Sequence, residues 1–105
     1  MTNNVIIACD FDTEKELDGF LKRFKNTKPF IKIGYQLFYK IGPTGIKKYK
    51  KLGYKIFLDL KLHDIPNTVM QGVKNLAKLG VDMLTIHAAG GIEMMKAAKK
   101  YANKT

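Results

Sequence analysis

In Phe57-Leu-Asp-Leu-Lys-Leu-His-Asp-Ile-Pro-Asn-Thr-Val69, a strand pattern, a cluster of ionisable groups and a helix start follow one another without a gap. Read with a period of two, Ile56, Leu58, Leu60 and Leu62 take one side of an extended segment, and Phe57, Asp59 and Lys61 take the other. A strand of an open, one-sided sheet would turn those charges to water. A strand of a closed parallel barrel would set its aliphatic side under helices and its polar side in the barrel mouth. Pro66, followed by Asn67 and Thr68, predicts a helix start, because proline is tolerated in the first helical turn. Asp59, Lys61 and Asp64 are thereby gathered where a strand passes into a helix.

The same unit recurs on both sides of this stretch. Val5-Ile-Ile-Ala-Cys9 is a short apolar run, which predicts a strand buried on both faces and ending at Asp10. Thr13 and Glu16 form a capping box for a helix carrying Leu17, Phe20, Leu21 and Phe24. Phe30-Ile-Lys-Ile33 is a second strand closed by Gly34, with Lys32 opposite Ile31 and Ile33. A helix through Tyr35, Phe38 and Ile41 breaks at Gly42-Pro43, resumes from Thr44 toward Leu52 and stops at Gly53. Beyond Pro66, Val69, Val73, Leu76 and Ala77 mark a helix that ends at Gly80. Met83-Leu-Thr-Ile-His87 is a fourth strand, with Thr85 and His87 on its polar side. Ala88 to Gly91 then turn into a helix carrying Ile92, Met95 and Ala98, with Met94 and Met95 as core filling.

Strand and helix alternate four times, which argues a parallel sheet with right-handed crossovers. A doubly wound sheet would want a glycine-rich phosphate loop after the first strand, and Asp10-Phe-Asp-Thr13 is not one. A polar residue closes each strand: Asp10, Lys32, Asp59 with Lys61, and His87. That is the pattern of an α/β protein of the (β/α)8 TIM-barrel type, whose active sites lie at the C-terminal strand ends. A whole barrel needs roughly 200 residues or more, so residues 1–105 are expected to be the N-terminal half of a single barrel domain, with no second domain.

Composition excludes several other classes. Nothing approaches the roughly 20 apolar residues of a membrane span, and Met-Thr-Asn-Asn does not open a signal peptide. One cysteine, Cys9, in an apolar run fits a buried thiol and a reducing cytoplasm. The net charge of +10 comes from lysines, with Arg23 the single arginine. Readers of nucleic acid favour arginine for bidentate contacts, so a solvated lysine surface is expected rather than a nucleic-acid partner.

Asp59-x-Lys61-x-x-Asp64 followed by Ile-Pro-Asn-Thr-Val resembles the signature of the orotidine 5′-monophosphate decarboxylase family, as do Ala8-Cys-Asp10, Lys32-Ile-Gly34 and Thr85-Ile-His-Ala88. Relatives such as hexulose-phosphate synthase share the Asp-x-Lys-x-x-Asp pattern; the tail His63 to Thr68 points to the orotidylate enzymes. The resemblance implies a cytoplasmic homodimer that turns a nucleotide monophosphate into uridine 5′-monophosphate without metal or cofactor. It implies Lys61 as proton donor, Asp59 as the group that orients it beside the substrate carboxylate, and Asp64 as a contribution from the second subunit. Asp10 and Lys32 would contact ribose hydroxyls, Ile65 would line an apolar pocket for the departing carboxylate, and Thr68 would reach the neighbouring subunit's site. The family's pyrimidine and phosphate contacts come from the second half of the barrel.

The chemistry fits those residue types directly. Carboxylates beside Lys61 stabilise its ammonium form as an acid, and a fixed positive charge beside a carbon gaining negative charge lowers a barrier. The rival readings are a structural ion pair for Asp59 and Lys61, a helix cap for Asp10 and a solvated edge lysine for Lys32. His63 and His87 receive no role. At the level of the whole protein, the alternatives are a metal-dependent sugar-phosphate decarboxylase or synthase and a non-catalytic basic half-barrel. The isolated 105 residues are expected to be weakly active or inactive and prone to self-association.

Overall fold

The computed structural model describes residues 4–105; Met1 to Asn3, part of the amino terminus read above as lacking a signal segment, lie outside them. Four βα units follow in order: β1 (Ile6–Ala8) and α1 (Glu14–Leu21), β2 (Phe30–Gly34) and α2 (Tyr35–Lys51), β3 (Ile56–Leu62) and α3 (Pro66–Ala77), β4 (Met83–Ile86) and α4 (Ile92–Lys100). A single 3-10 turn at Ala88–Gly90 leads into α4. All strand pairs are parallel and the order is β1-β2-β3-β4. A doubly wound sheet reverses its order at a switch point. This sheet progresses in one direction, as a barrel wall does.

Register explains how the two faces differ. Ile31 pairs with Ile56 and Ile33 with Leu58, which in turn pairs with Leu84, so these aliphatic side chains share one face. That face is covered by helices: Ile31, Ile33, Ile56 and Leu58 are fully buried with Leu17, Leu37, Ile46 and Tyr49. Val69, Val73, Met94 and Ala98 close a second cluster against Leu62, Leu84 and Ile86. The opposite face carries Lys32 beside Phe57 and Asp59 beside Gly34. No helix lies over it among the described residues, and its aliphatic members at the two sheet edges are exposed, Ile6 by 38% and Met83 by 41%.

Local signals behave as their chemistry requires. Thr13 caps α1, its Oγ1 accepting the Glu16 backbone N–H at 3.1 Å. Pro66 stands in the first turn of α3. Gly42 breaks α2 with φ of 61°, a conformation that costs a glycine little, and Pro43 restarts the helix. No helix of the described residues is long and apolar enough to cross a membrane.

Three expectations are corrected. The first strand is not buried on both faces: Ile6 is 38% exposed, and only Cys9 of that run is fully enclosed. The reason is that β1 is an edge strand and alternate side chains fall on the face that no helix covers. Phe24 lies beyond the end of α1 and meets Phe20 edge-on at 5.3 Å. On α4 the buried stripe is Met94 and Ala98, whereas Ile92 is 65% exposed, because the helix begins only after the 3-10 turn.

Two tests address this core. Ile33→Ala should lower stability by about 2–5 kcal/mol, read as a reduced urea midpoint, since no neighbouring side chain can collapse into a fully packed sheet–helix layer. The Cys9 thiol is pushed up to about 11, by burial first and by the neighbouring Asp10 charge second. It should therefore resist alkylation in the native protein at neutral pH and react promptly once urea unfolds the chain.

Candidate active site

The open face of the sheet carries an ionisable centre. Asp59, in the middle of β3, is 6% exposed although it carries a carboxylate. Its Oδ2 accepts the Lys61 ammonium at 2.9 Å and pairs with the Lys32 ammonium at 3.3 Å. Its Oδ1 accepts the Thr85 hydroxyl at 2.8 Å. Three adjacent strands thus each supply one group to the carboxylate: Lys32 from β2, Lys61 from β3 and Thr85 from β4. Burial works to raise the Asp59 pKa, but hydrogen bonds from Lys61, Thr85 and Lys32 and the Lys61 charge outweigh it, so the carboxyl lies below its ordinary value.

Lys61 has an unusual backbone. Its φ is 51°, in the left-handed region that residues with a side chain seldom occupy. The ladder between β3 and β4 shifts register between Leu58 and Leu62, and the Lys61 N–H donates to Thr85 Oγ1 at 2.8 Å. A bulge of this kind re-aims a side chain near a site. Here it lets Lys61 fold back over Asp59, with its ammonium 6.0 Å from the Tyr35 ring.

A cleft of about 200 Å³ opens over the centre, lined by Asp10, Lys32, Tyr35, Gln36, Asp59 and Lys61. Gln36 is fixed by its amide, which donates to Asp12 at 2.6 Å. A larger cavity of about 370 Å³ lies among Val73, Leu84, Ile86, Met95 and Ala98, on the helical side of β4. Its walls are mainly aliphatic and carry no carboxylate, whereas the smaller cleft holds Asp10 and Asp59 beside Lys32 and Lys61. Among the described residues, no three His, Cys, Asp or Glu side chains are grouped as metal ligands.

The sequence-derived residues divide into two sets. Asp10, Lys32, Asp59 and Lys61 share the cleft. Thr13, not Asp10, caps α1, and Lys32 stands on an interior strand in an ion pair rather than free at an edge. Asp64, Ile65 and Thr68 are exposed at the start of α3, and Asp64 Oδ1 accepts its own neighbour's N–H, from Ile65, at 2.7 Å. None of the three lines the cleft that holds Lys61. Thr85, Tyr35 and Gln36 receive no site role from the sequence. For Thr85 a signal existed, since it alternates onto the polar side of β4. His63 and His87 stack at 4.8 Å between ring centroids, joining the ends of β3 and β4.

Residues 3–105 match the model of the orotidine 5′-phosphate decarboxylase / HUMPS family. The chain belongs to that family. An orotidine 5′-phosphate decarboxylase of Fusobacterium nucleatum is 56% identical over 100 residues, covering 95% of this chain and 42% of that protein. One from Bacillus cytotoxicus is 54% identical over 98 residues, 93% of this chain and 41% of its own length. The crystal structure of the Lactobacillus acidophilus orotidine 5′-phosphate decarboxylase superposes with a TM-score of 0.89 at 48% identity, over 98% of this chain and 46% of that one. A Methanocaldococcus jannaschii orotidine 5′-monophosphate decarboxylase, solved with the inhibitor BMP, gives 0.83 at 27% identity, over 99% and 49%. The chain spans less than half the length of these family members, and its four βα units are of the TIM-barrel type.

The pH dependence of folding follows from the lowered Asp59 carboxyl. Its stabilising contribution is fully present above the unfolded-state value of about 3.8 and is lost as pH falls through the lower folded value. Asp59→Asn should therefore flatten the acid limb of a stability profile below about pH 4. Acid unfolding followed by circular dichroism checks this, and identical limbs in both proteins would contradict it.

Proposed function

We propose that the protein carrying this chain converts orotidine 5′-monophosphate to uridine 5′-monophosphate and carbon dioxide, the relatives named above being orotidine 5′-phosphate decarboxylases. The observation that carries this reading is the buried Asp59 carboxylate held between two ammonium groups under an open cleft. As the bond from C6 of the pyrimidine to the carboxylate breaks, its electron pair stays on the ring carbon. The Lys61 ammonium stabilises that charge and then delivers its proton to C6. Asp59 keeps Lys61 charged and aimed, and its position beside the substrate carboxylate places two like charges together in the ground state. Asp10 and Lys32 hold ribose hydroxyls.

Asp64, Ile65 and Thr68 complete the site of a second subunit in a homodimer, with Ile65 lining the apolar pocket for the leaving carboxylate. Their exposure and their absence from the lining of the cleft of their own chain support this assignment. The four units form the N-terminal half of one barrel domain in a cytoplasmic enzyme. The reaction draws on no metal or cofactor.

The test uses the full protein and follows the loss of ultraviolet absorbance of orotidine 5′-monophosphate. Lys61→Ala should reduce turnover by at least a factor on the order of a thousand; near-wild-type turnover would end the reading. Asp64→Ala should be similarly impaired alone. Mixing the two inactive variants should restore part of the activity, because one of the two sites in a mixed dimer then holds both native residues. No recovery in verified mixed dimers would place Asp64 outside the partner's site.

A further inference from the structure

We propose that Thr85 is a positioning residue of this site: its hydroxyl links the Lys61 backbone to the buried Asp59 carboxylate and thereby sets where the Lys61 ammonium stands. The kinetic part of this inference rests on the function proposed above; its structural part does not.

The connectivity is a closed loop. The Lys61 N–H donates to Thr85 Oγ1 at 2.8 Å, Thr85 Oγ1 donates to Asp59 Oδ1 at 2.8 Å, and Asp59 Oδ2 accepts the Lys61 ammonium at 2.9 Å. Lys61 is therefore held at both ends through one carboxylate and one hydroxyl. A hydroxyl has one proton to give and two lone pairs to accept, so Thr85 meets both demands at once. No apolar residue of the same shape can do so.

Geometry makes the hydroxyl consequential. Lys61 has φ of 51° within a strand, a conformation that persists only where surrounding contacts over-determine it. The register shift between Leu58 and Leu62 interrupts the backbone ladder there, and Thr85 Oγ1 takes the N–H that the ladder leaves. On the other side, a donor on Oδ1 fixes the carboxylate plane and leaves Oδ2 to the two lysines. Thr85 is not among the cleft-lining residues, so its influence on chemistry passes through Asp59 and Lys61. Burial of Asp59 strengthens each of these hydrogen bonds and makes the loss of one costly.

Thr85→Val, Thr85→Ser and Thr85→Ala in the full protein test the inference. Valine keeps the shape and removes the hydroxyl; serine keeps the hydroxyl. In Thr85→Val, kcat should fall by about 10-fold or more with KM changed much less, since a misplaced reacting group acts in the transition state. Thr85→Ser should recover most of the loss. The Asp59 carboxyl, followed by carbon-13 resonance, should titrate higher in Thr85→Val than in wild type and return in Thr85→Ser. If valine does not fold, Thr85→Ala carries the same expectations with less steric load.

A kcat within about twofold of wild type in the hydroxyl-free variant would overturn the inference, as would a serine variant as slow as the valine one. An unmoved Asp59 titration would overturn it too. If the wild-type protein turns over no orotidine 5′-monophosphate, the proposed function fails, and the Asp59 titration alone then decides for or against the Thr85 linkage.

Discussion

The structure depends on one carboxylate kept charged where water scarcely reaches it. An isolated ion in that position would cost several kcal/mol in desolvation. Asp59 escapes that cost because it has two ammonium groups on Oδ2 and a hydroxyl on Oδ1. Removing any one leaves the others to hold a partly uncompensated charge. The carboxylate therefore ties β2, β3 and β4 together on the face that no helix covers among the described residues, while leaving an ammonium beside an open cleft. That balance between desolvation and charge pairing is what makes the centre both a structural clamp and a candidate acid.

The two faces of the sheet divide the work. Aliphatic residues at alternate positions of β2, β3 and β4 bury themselves under four helices and supply the hydrophobic stabilisation. With rigidity secured there, the other face can carry Lys32, Asp59 and Thr85 within reach of one another. Parallel pairing in sequential order puts the C-terminal ends of all strands on one side, so Asp10, Lys32, Asp59 and Lys61 meet although the first and last are separated by two helices. The bulge at Lys61 adds the final adjustment, as it folds a strand residue back over its own neighbour.

The family assignment and the geometry bear on different residues. Membership rests on residues 3–105 as a whole, and the geometry separates the members of the Asp-x-Lys-x-x-Asp stretch. Asp59 and Lys61 act on one cleft, whereas Asp64 is turned into a local contact with the Ile65 amide at the start of α3. Five residues of chain and a change from strand to helix suffice to send the second aspartate elsewhere. The stacked His63 and His87 rings bracket the same strand ends and brace the point where β3 leaves the sheet.

The amino-acid sequence by itself determined the alternation of strand and helix, the aliphatic face of β2 and β3, the helix start at Pro66 and the break at Gly42. Each of these is written in short-range periodicity or in the φ preference of a single residue type. It also marked Asp59, Lys61 and Lys32 as polar residues on strands, because charges at alternate positions stand out against aliphatic neighbours. It misjudged β1, since an apolar run reads the same whether both faces are covered or one, and Ile92, since the 3-10 turn shifts the helix phase. Only the tertiary structure decided the role of Thr85, the left-handed Lys61 and the pairing of Lys32 with Asp59. Those depend on the register between strands and on a bulge. Both are set by contacts between residues more than twenty positions apart, and local pattern carries no record of them.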